Sequence, residues 1–244
     1  MTSVNVSNTK SLPALNGDAP LPISIIIPTL NEAGTIAALI EQTRGLGECE
    51  IIVVDGGSTD DTCQQAMNAD RVLTSRPGRA IQQNLGAEQA TGTVLLFLHA
   101  DCRLPVTAFD SIRAALLDER VVGGCFQQRI DARGLRFRCL ERGNAWRVRL
   151  FGLAYGDQAI FVRRTVFENL GRFPQLRLME DVFLMKRLRR AGRFVLLADR
   201  LTVSARRWQR HGVIRQTLRN WTLLTLALCG VSPDRLAKYY SNTR

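Results

Sequence analysis

No apolar run in this chain reaches the ~20 residues that a membrane-crossing helix needs; the nearest approach is residues 221–231. There is no Cys-x-x-Cys pair and no metal-finger spacing among the six cysteines, at 49, 63, 102, 125, 139 and 229. They therefore read as reduced, mostly buried thiols. The first twenty residues hold one Lys and no apolar core, so they do not read as a secretory signal, and a cytoplasmic location is expected. Internal repeats and low-complexity linkers are absent, which favours one domain. Acidic residues run short only in the second half. Residues 1–128 carry 8 basic and 14 acidic side chains, residues 129–244 carry 25 and 8, and the net charge of +11 comes from halves of −6 and +17. Such a basic half suits nucleic acid, an anionic membrane surface or a phosphorylated substrate. The motifs and aromatic platforms of nucleic-acid modules are missing, so no nucleic-acid partner is expected.

What is present is an alternation of strands and helices. Residues 1–21, polar with Pro13, Gly17 and Pro20, read as a disordered leader. A β-branched run, residues 23–27, stops at Pro28, a residue suited to a strand end but not to a central ladder position. Helical spacing follows over 34–44, closed by Gly45 and Gly47. A second strand over 50–54 leads to Asp55-Gly56-Gly57-Ser58-Thr59-Asp60, where Ser58 or Thr59 can cap a helix over 60–68. A short strand at 71–73, a helix over 79–90 and a strand from Val94 continue the pattern. Beyond them the expectation is a helix over 106–117, strands at 121–127 and 159–162, an Arg-rich helix over 133–150, a short helix over 163–170, a helix from 179 to Gly192 and a strand at 194–198. Strands alternating with helices at this spacing imply an α/β fold with a mostly parallel sheet. Residues 22–210 form the domain and 211–244 a C-terminal amphipathic helical extension.

The strand Val94-Leu95-Leu96-Phe97-Leu98 is apolar throughout, as in a strand buried on both faces, and it ends on His99-Ala100-Asp101. In an open α/β sheet, ligands bind beyond the carboxyl ends of the strands. Thr29 to Glu32, Asp55 to Asp60 and His99 to Asp101 fall at such ends, and Glu180-Asp181 opens a later helix. A rim of polar turns and helix caps explains each cluster taken alone; their convergence points to a site.

These residues are also recognisable. Pro28-Thr29-Leu30-Asn31-Glu32, Asp55-Gly56-Gly57-Ser58-Thr59-Asp60, His99-Ala100-Asp101 and Glu180-Asp181 resemble, in order, the motifs of the family 2 glycosyltransferases, which have the GT-A nucleotide-sugar-binding fold. The resemblance covers residues 22–210. Gly56 and His99 stand where the family usually has acidic residues. Leu98 to Asp101, Gly156-Asp157-Gln158 and Ser204-Ala205-Arg206-Arg207-Trp208 further resemble a bacterial subgroup of arsenosugar-biosynthesis and 4,4'-diaponeurosporenoate-type (carotenoid-acid) glycosyltransferases.

The resemblance implies an inverting transfer of a sugar from a nucleotide-diphosphate donor, with a UDP-sugar favoured, to a hydroxyl or carboxyl acceptor that is a small molecule or lipid-linked. Pro28, Thr29, Glu32, Asp55 and Ser58 would line the nucleoside pocket, with Asp55 accepting from the base. Asp101 would bind the divalent cation that neutralises the leaving diphosphate. A nitrogen ligand such as His99 tilts the choice toward Mn²⁺ over Mg²⁺, unless that imidazole meets the sugar or a carboxylate instead. Asp181 is the expected general base, supported by Glu180. Gly156, Asp157 and Gln158 read as acceptor contacts or as a structural turn. Arg79 could reach the donor phosphates. Arg206, Arg207 and Trp208 suit an acceptor, pyrophosphate or stacked ring, and His211 lies close behind.

The Arg-rich helix has basic positions at 133, 136, 138, 142, 147 and 149, with Phe137, Leu140, Trp146 and Leu150 between them. A basic amphipathic helix of this kind permits peripheral association with the inner face of the membrane. Two alternatives remain open. A nucleotidyltransferase of the same fold neighbourhood lacks here its usual Gly-rich, Lys-containing loop after the first strand, and a non-catalytic basic binding protein is suggested by charge alone.

Overall fold

A computed structural model describes residues 20–237. The expected leader up to residue 19, and residues 238–244, lie outside the described residues. Eight strands form one sheet in the order β3-β2-β1-β4-β7-β6-β8-β5. They are β1 Ile23–Thr29, β2 Glu50–Asp55, β3 Arg71–Thr74, β4 Val94–Phe97, β5 Cys102–Arg103, β6 Val121–Ile130, β7 Ile160–Arg163 and β8 Arg193–Val203. The helices are α1 Ile36–Arg44, α2 Thr62–Gln65, α3 Arg79–Gln89, α4 Ala108–Ala115, α5 Leu135–Phe151, α6 Arg164–Asn169, α7 Glu180–Ala191, α8 Arg206–His211, α9 Val213–Leu228 and α10 Pro233–Ala237. Among the described residues, no helix is long and apolar enough to cross a membrane.

The first four strands run parallel, joined by helices, as the alternating pattern requires. Their side chains sort by the two-residue period of a strand. Ile25, Ile27, Ile51, Val53, Leu96 and Leu98 enter one core, while Ile26, Ile52, Val54, Leu95 and Phe97 enter the core on the other face. Burial on both faces explains why these strands are continuous apolar runs. Strand β7 then enters antiparallel between β4 and β6, and β6 pairs parallel with β8.

Several expectations are corrected. Strand β1 continues through Pro28, which pairs in register with Val54. This is tolerated because β4 accompanies β1 only as far as Ile26, so a missing N–H on that side breaks no ladder bond. Helix α2 is four residues rather than nine and has no side-chain cap; Ser58 and Thr59 bond elsewhere, as described below. Strand β8 is eleven residues rather than five. Its pairing with β6 shifts register between Phe126 and Gln127, opposite Leu197 and Arg200, and this irregularity takes up the polar Asp199 that broke the apolar pattern. Strand β5, two residues paired antiparallel to β8, is too short to show any period. Within the span read as a C-terminal extension, helix α9 takes up the packing alternative rather than lying free. Leu223, Leu224 and Ala227 of α9 form a third core with Leu178, Met179 and Val182.

Helix α3 lies close on β1 and β2 because Gly86 has no side chain. A Cβ there would meet Ile26 Cγ2 at 2.5 Å and Val54 Cγ2 at 3.1 Å. Gly86→Val should therefore lower the unfolding free energy by about 1–3 kcal/mol through overpacking. Gly143→Ala, on α5 where a Cβ meets nothing within 4 Å, should raise it by up to ~1 kcal/mol. Urea denaturation of both variants checks the pair.

Candidate functional site

The loops after β1 and β2 are fastened to each other at the carboxyl edge of the sheet. Asp55 is the clamp. Its Oδ2 accepts from the N–H groups of Gly57 and Ser58, both at 2.8 Å, and its Oδ1 accepts from the Ser58 and Thr29 hydroxyls. The neighbouring loop answers in kind. Asn31 holds a positive φ of 55°, which lets its N–H donate to Ser58 Oγ at 2.8 Å while its Oδ1 accepts from Thr59 N at 2.9 Å. The N–H of Glu32 donates to Thr62 Oγ1 at 2.8 Å, and Asp60 accepts from Ala33 and Thr62. The Thr62 hydroxyl holds the Asp60 carboxyl below its ordinary range.

Gln82 of α3 was not singled out by sequence. Its buried carboxamide donates to the carbonyls of Thr29 and Val54, both at 2.8 Å, and so ties the ends of β1 and β2 together. It also lies against Gly56: a Cβ at residue 56 would meet the Gln82 carboxamide at 3.1 Å and press on the group that ties the strand ends. A buried helical Gln reads like an exposed one, and only the tertiary packing distinguishes them.

The second centre is Asp181, buried at the start of α7. Its Oδ2 accepts from the N–H of Gly156 at 2.7 Å. Gly156 begins a short 3₁₀ turn through Gln158. A Cβ on it would come within 2.9 Å of His99 Nε2, so glycine is what allows the imidazole to approach this backbone beside the carboxylate. Met179 (φ 65°) and Ala159 (φ 47°) flank the contact in left-handed conformations. Strain of this kind in residues with side chains is found where the surrounding structure over-determines the backbone, as at ligand sites. Arg79 at the start of α3 pairs with Glu180 at 2.9 Å, so the two helix N-termini meet across a salt bridge. Arg79, His99, Gly156, Asp157 and Asp181 line one cavity, whose other wall is apolar and comes from Leu178, Met179, Val182, Leu223 and Leu224. Burial in this wall raises the Tyr155 phenol above its ordinary pKa.

Other expected site residues lie elsewhere. Asp101 faces a different depression, of about 490 Å³, which Thr35, Asp131, Ser204 and Arg206 also line. That volume falls within the range of small-molecule sites, and His99, the expected co-ligand, lines the Asp181 cavity. Arg206 pairs with Glu32 at 3.4 Å, which puts it against the β1 loop rather than with the acceptor residues. Trp208 is buried in the first core, so its indole is no stacking platform. The side chains of Arg207 and His211 lie outside what the structure describes. Gln158 is fully buried, and its carboxamide is consumed by Arg147, the N–H of Tyr155 and the carbonyl of Phe126. It holds the turn instead of touching an acceptor. Arg147 itself is buried, donates to Leu153 O and Gln158 Oε1, and lies 3.6 Å from the centre of the Tyr155 ring. It does not belong to the solvent face on which the sequence placed it.

A family model described as glycosyl transferase family 2 matches residues 24–174, from β1 to just beyond α6. Among curated proteins, the PGL/p-HBAD biosynthesis glycosyltransferase of Mycobacterium bovis is 34% identical over 165 residues, 64% of this chain and 64% of the relative. Glycosyltransferase AglE of Haloferax volcanii is 28% identical over 179 residues, 62% and 56% of the two chains. This chain thus spans less than two thirds of the length of these relatives. Among solved structures, S. aureus TarS 1-349 in complex with UDP superposes with a TM-score of 0.61 at 19% identity, over 75% of this chain and 60% of that one. Glucosyl-3-phosphoglycerate synthase of Mycobacterium tuberculosis, in complex with Mn²⁺, UDP and glucosyl-3-phosphoglycerate, gives 0.56 at 22% identity, over 75% and 70%. These structural likenesses establish the GT-A fold, and with the family match over more than half its length the chain belongs to glycosyl transferase family 2.

Proposed function

We propose that the protein is a metal-assisted, inverting glycosyltransferase that moves a sugar from a nucleotide-diphosphate donor, a UDP-sugar, to a hydroxyl or carboxyl group of an acceptor. The observation that carries this reading is the buried Asp181 carboxylate. It is aimed by the Gly156 N–H into a cavity shared with His99 and Arg79. The solved GT-A neighbours that hold UDP support the choice of donor.

In this mechanism the donor nucleoside lies against the fastened loops of Pro28, Thr29, Glu32, Asp55 and Ser58. Asp181 accepts the proton of the acceptor hydroxyl as that oxygen attacks the anomeric carbon. The new carbon–oxygen bond forms on the face opposite the breaking bond to phosphate, so the configuration inverts and a nucleoside diphosphate leaves. Glu180, paired with Arg79, keeps the Arg79 guanidinium at the start of α3, on the cavity wall. Asp157 and the N-terminal end of the turn line the acceptor side. A lipid-linked or apolar acceptor accords with the apolar wall from Leu178, Met179, Val182, Leu223 and Leu224.

A divalent cation, when bound, neutralises charge on the departing diphosphate. Among the described residues, no group of three His, Cys, Asp or Glu side chains could hold such an ion, so an all-protein cage does not fit. A single carboxylate does. Mg²⁺ and ions like it are commonly held by one or two carboxylates together with substrate phosphates, and Asp101 on its open depression is the residue for this role. His99, on the cavity with Asp181, is better placed for the sugar or the acceptor than for the ion.

Two outcomes are expected. UDP should raise the melting temperature of the protein more in Mn²⁺ than in EDTA, because a ligand bound to the native state alone stabilises it, and Asp101→Ala should lose that difference. Equal shifts with and without metal would remove the cation from the assignment. Asp181→Asn keeps an oxygen that can accept from Gly156, so it should retain the UDP-induced shift. It should nevertheless release UDP from UDP-sugars about 10²–10⁴-fold more slowly, the range for a lost general base; release at the wild-type rate excludes Asp181 as the base.

A further inference from the structure

Helix α5 presents to solvent a stripe that the fold does not use. Leu135, Cys139, Trp146 and Leu150 recur at helical spacing and share one face. Leu135, Trp146 and Leu150 are 83%, 59% and 62% exposed, and Phe151 extends the patch at the helix end. At 1.5 Å per residue the stripe is about 22 Å long. The opposite face carries Phe137, Ala145 and Val148 into the interior, and Leu140 packs against the first core. The apolar side chains on the outside are therefore surplus to the fold.

Charge runs beside the stripe. Arg142 and Arg149 follow one flank and Arg136 the other, all exposed. Next to Trp146 a groove of about 180 Å³ is lined by Arg138, Arg142, Arg149 and Arg200. Arg138 is spent internally, on Glu141 and on the carbonyls of Ile130 and Ala132. Among the described residues, Arg142, Arg149 and Arg200 take part in none of the ion pairs.

The charge selects the occupant. A second copy of this face would set arginine rows against each other, because Glu141, the acid within α5, is buried and already paired. An anionic bilayer satisfies both components: apolar side chains enter the acyl boundary, the indole takes the interfacial level, and guanidiniums meet lipid phosphates. We propose that α5 docks the protein on an anionic lipid bilayer, with Leu135, Trp146 and Leu150 inserted and Arg142, Arg149 and Arg200 on the lipid phosphates. The helix lies in the plane of the interface. Two residues beyond its end, Leu153 packs against the apolar cluster of Leu178, Val182, Leu223 and Leu224, residues that wall the Asp181 cavity. The docking does not depend on the catalytic reading.

Flotation of the full chain with vesicles tests this. Binding is expected to vesicles of phosphatidylglycerol mixed with phosphatidylcholine, to weaken as salt is raised, and to be at least about tenfold weaker for phosphatidylcholine alone. The double variants Trp146→Ser with Leu150→Ser, and Arg142→Glu with Arg149→Glu, change exposed side chains and should keep the wild-type circular dichroism and melting temperature. Each should lose at least about tenfold in binding to the anionic vesicles. Absence of binding by the wild type, equal binding by the folded variants, or a dimer in solution that the same substitutions dissociate would overturn the proposal.

Discussion

The hydrogen bond from the Gly156 N–H to Asp181 is the contact on which the site depends, because each partner is held by a separate part of the chain. Gly156 sits where it does because Gln158, two residues on, is locked by Arg147 and by the Phe126 carbonyl. Arg147 in turn is fixed by Leu153 and by the face of Tyr155. Asp181 reaches the same point through Met179, whose left-handed conformation turns the chain into α7. A carboxylate bound by a backbone N–H at a helix start is held in one orientation, and the absence of a Cβ at Gly156 lets His99 come up beside it.

The rim at the ends of β1 and β2 is organised differently. It has no single pivot; two loops are laced by short polar side chains, and Gln82 binds the strand ends from beneath. Asp55 spends its oxygens on its own loop and on Thr29. Its immediate structural task is therefore to shape the pocket wall, and any contact with a base is made against hydrogen bonds already in place. Arg206 joins α8 to this wall through Glu32, which explains how the basic C-terminal half and the acidic N-terminal half come to share one rim.

Much of this was legible before the fold was known. Continuous β-branched and Leu-rich runs marked β1, β2 and β4 because strands buried on both faces need no alternation. The polar clusters that end those runs marked the rim, since backbone polarity and ligands gather there. The signals that failed have physical causes as well. Trp208 looked like a ring platform because two arginines adjoin it, but burial in the core is invisible to local composition. Arg138 and Arg147 looked like two more charges on a solvated helix. Arg147 is buried and Arg138 half-buried, since a guanidinium can satisfy several acceptors at once. Strand β5 and the length of β8 depend on a pairing partner and on a register shift, neither of which leaves a periodic trace.

By itself, then, the sequence determined the α/β alternation, the parallel half of the sheet and the four polar clusters, because strand period, burial and turn chemistry are local properties. Tertiary structure alone decided which clusters meet. It brought His99 to Asp181 and left Asp101 on another depression, put Gln82 into the space beside Gly56, and divided α5 into a face that holds the fold and a face that remains outside. Those choices are made by contacts between residues far apart in the chain, where the spacing of residue types carries no information.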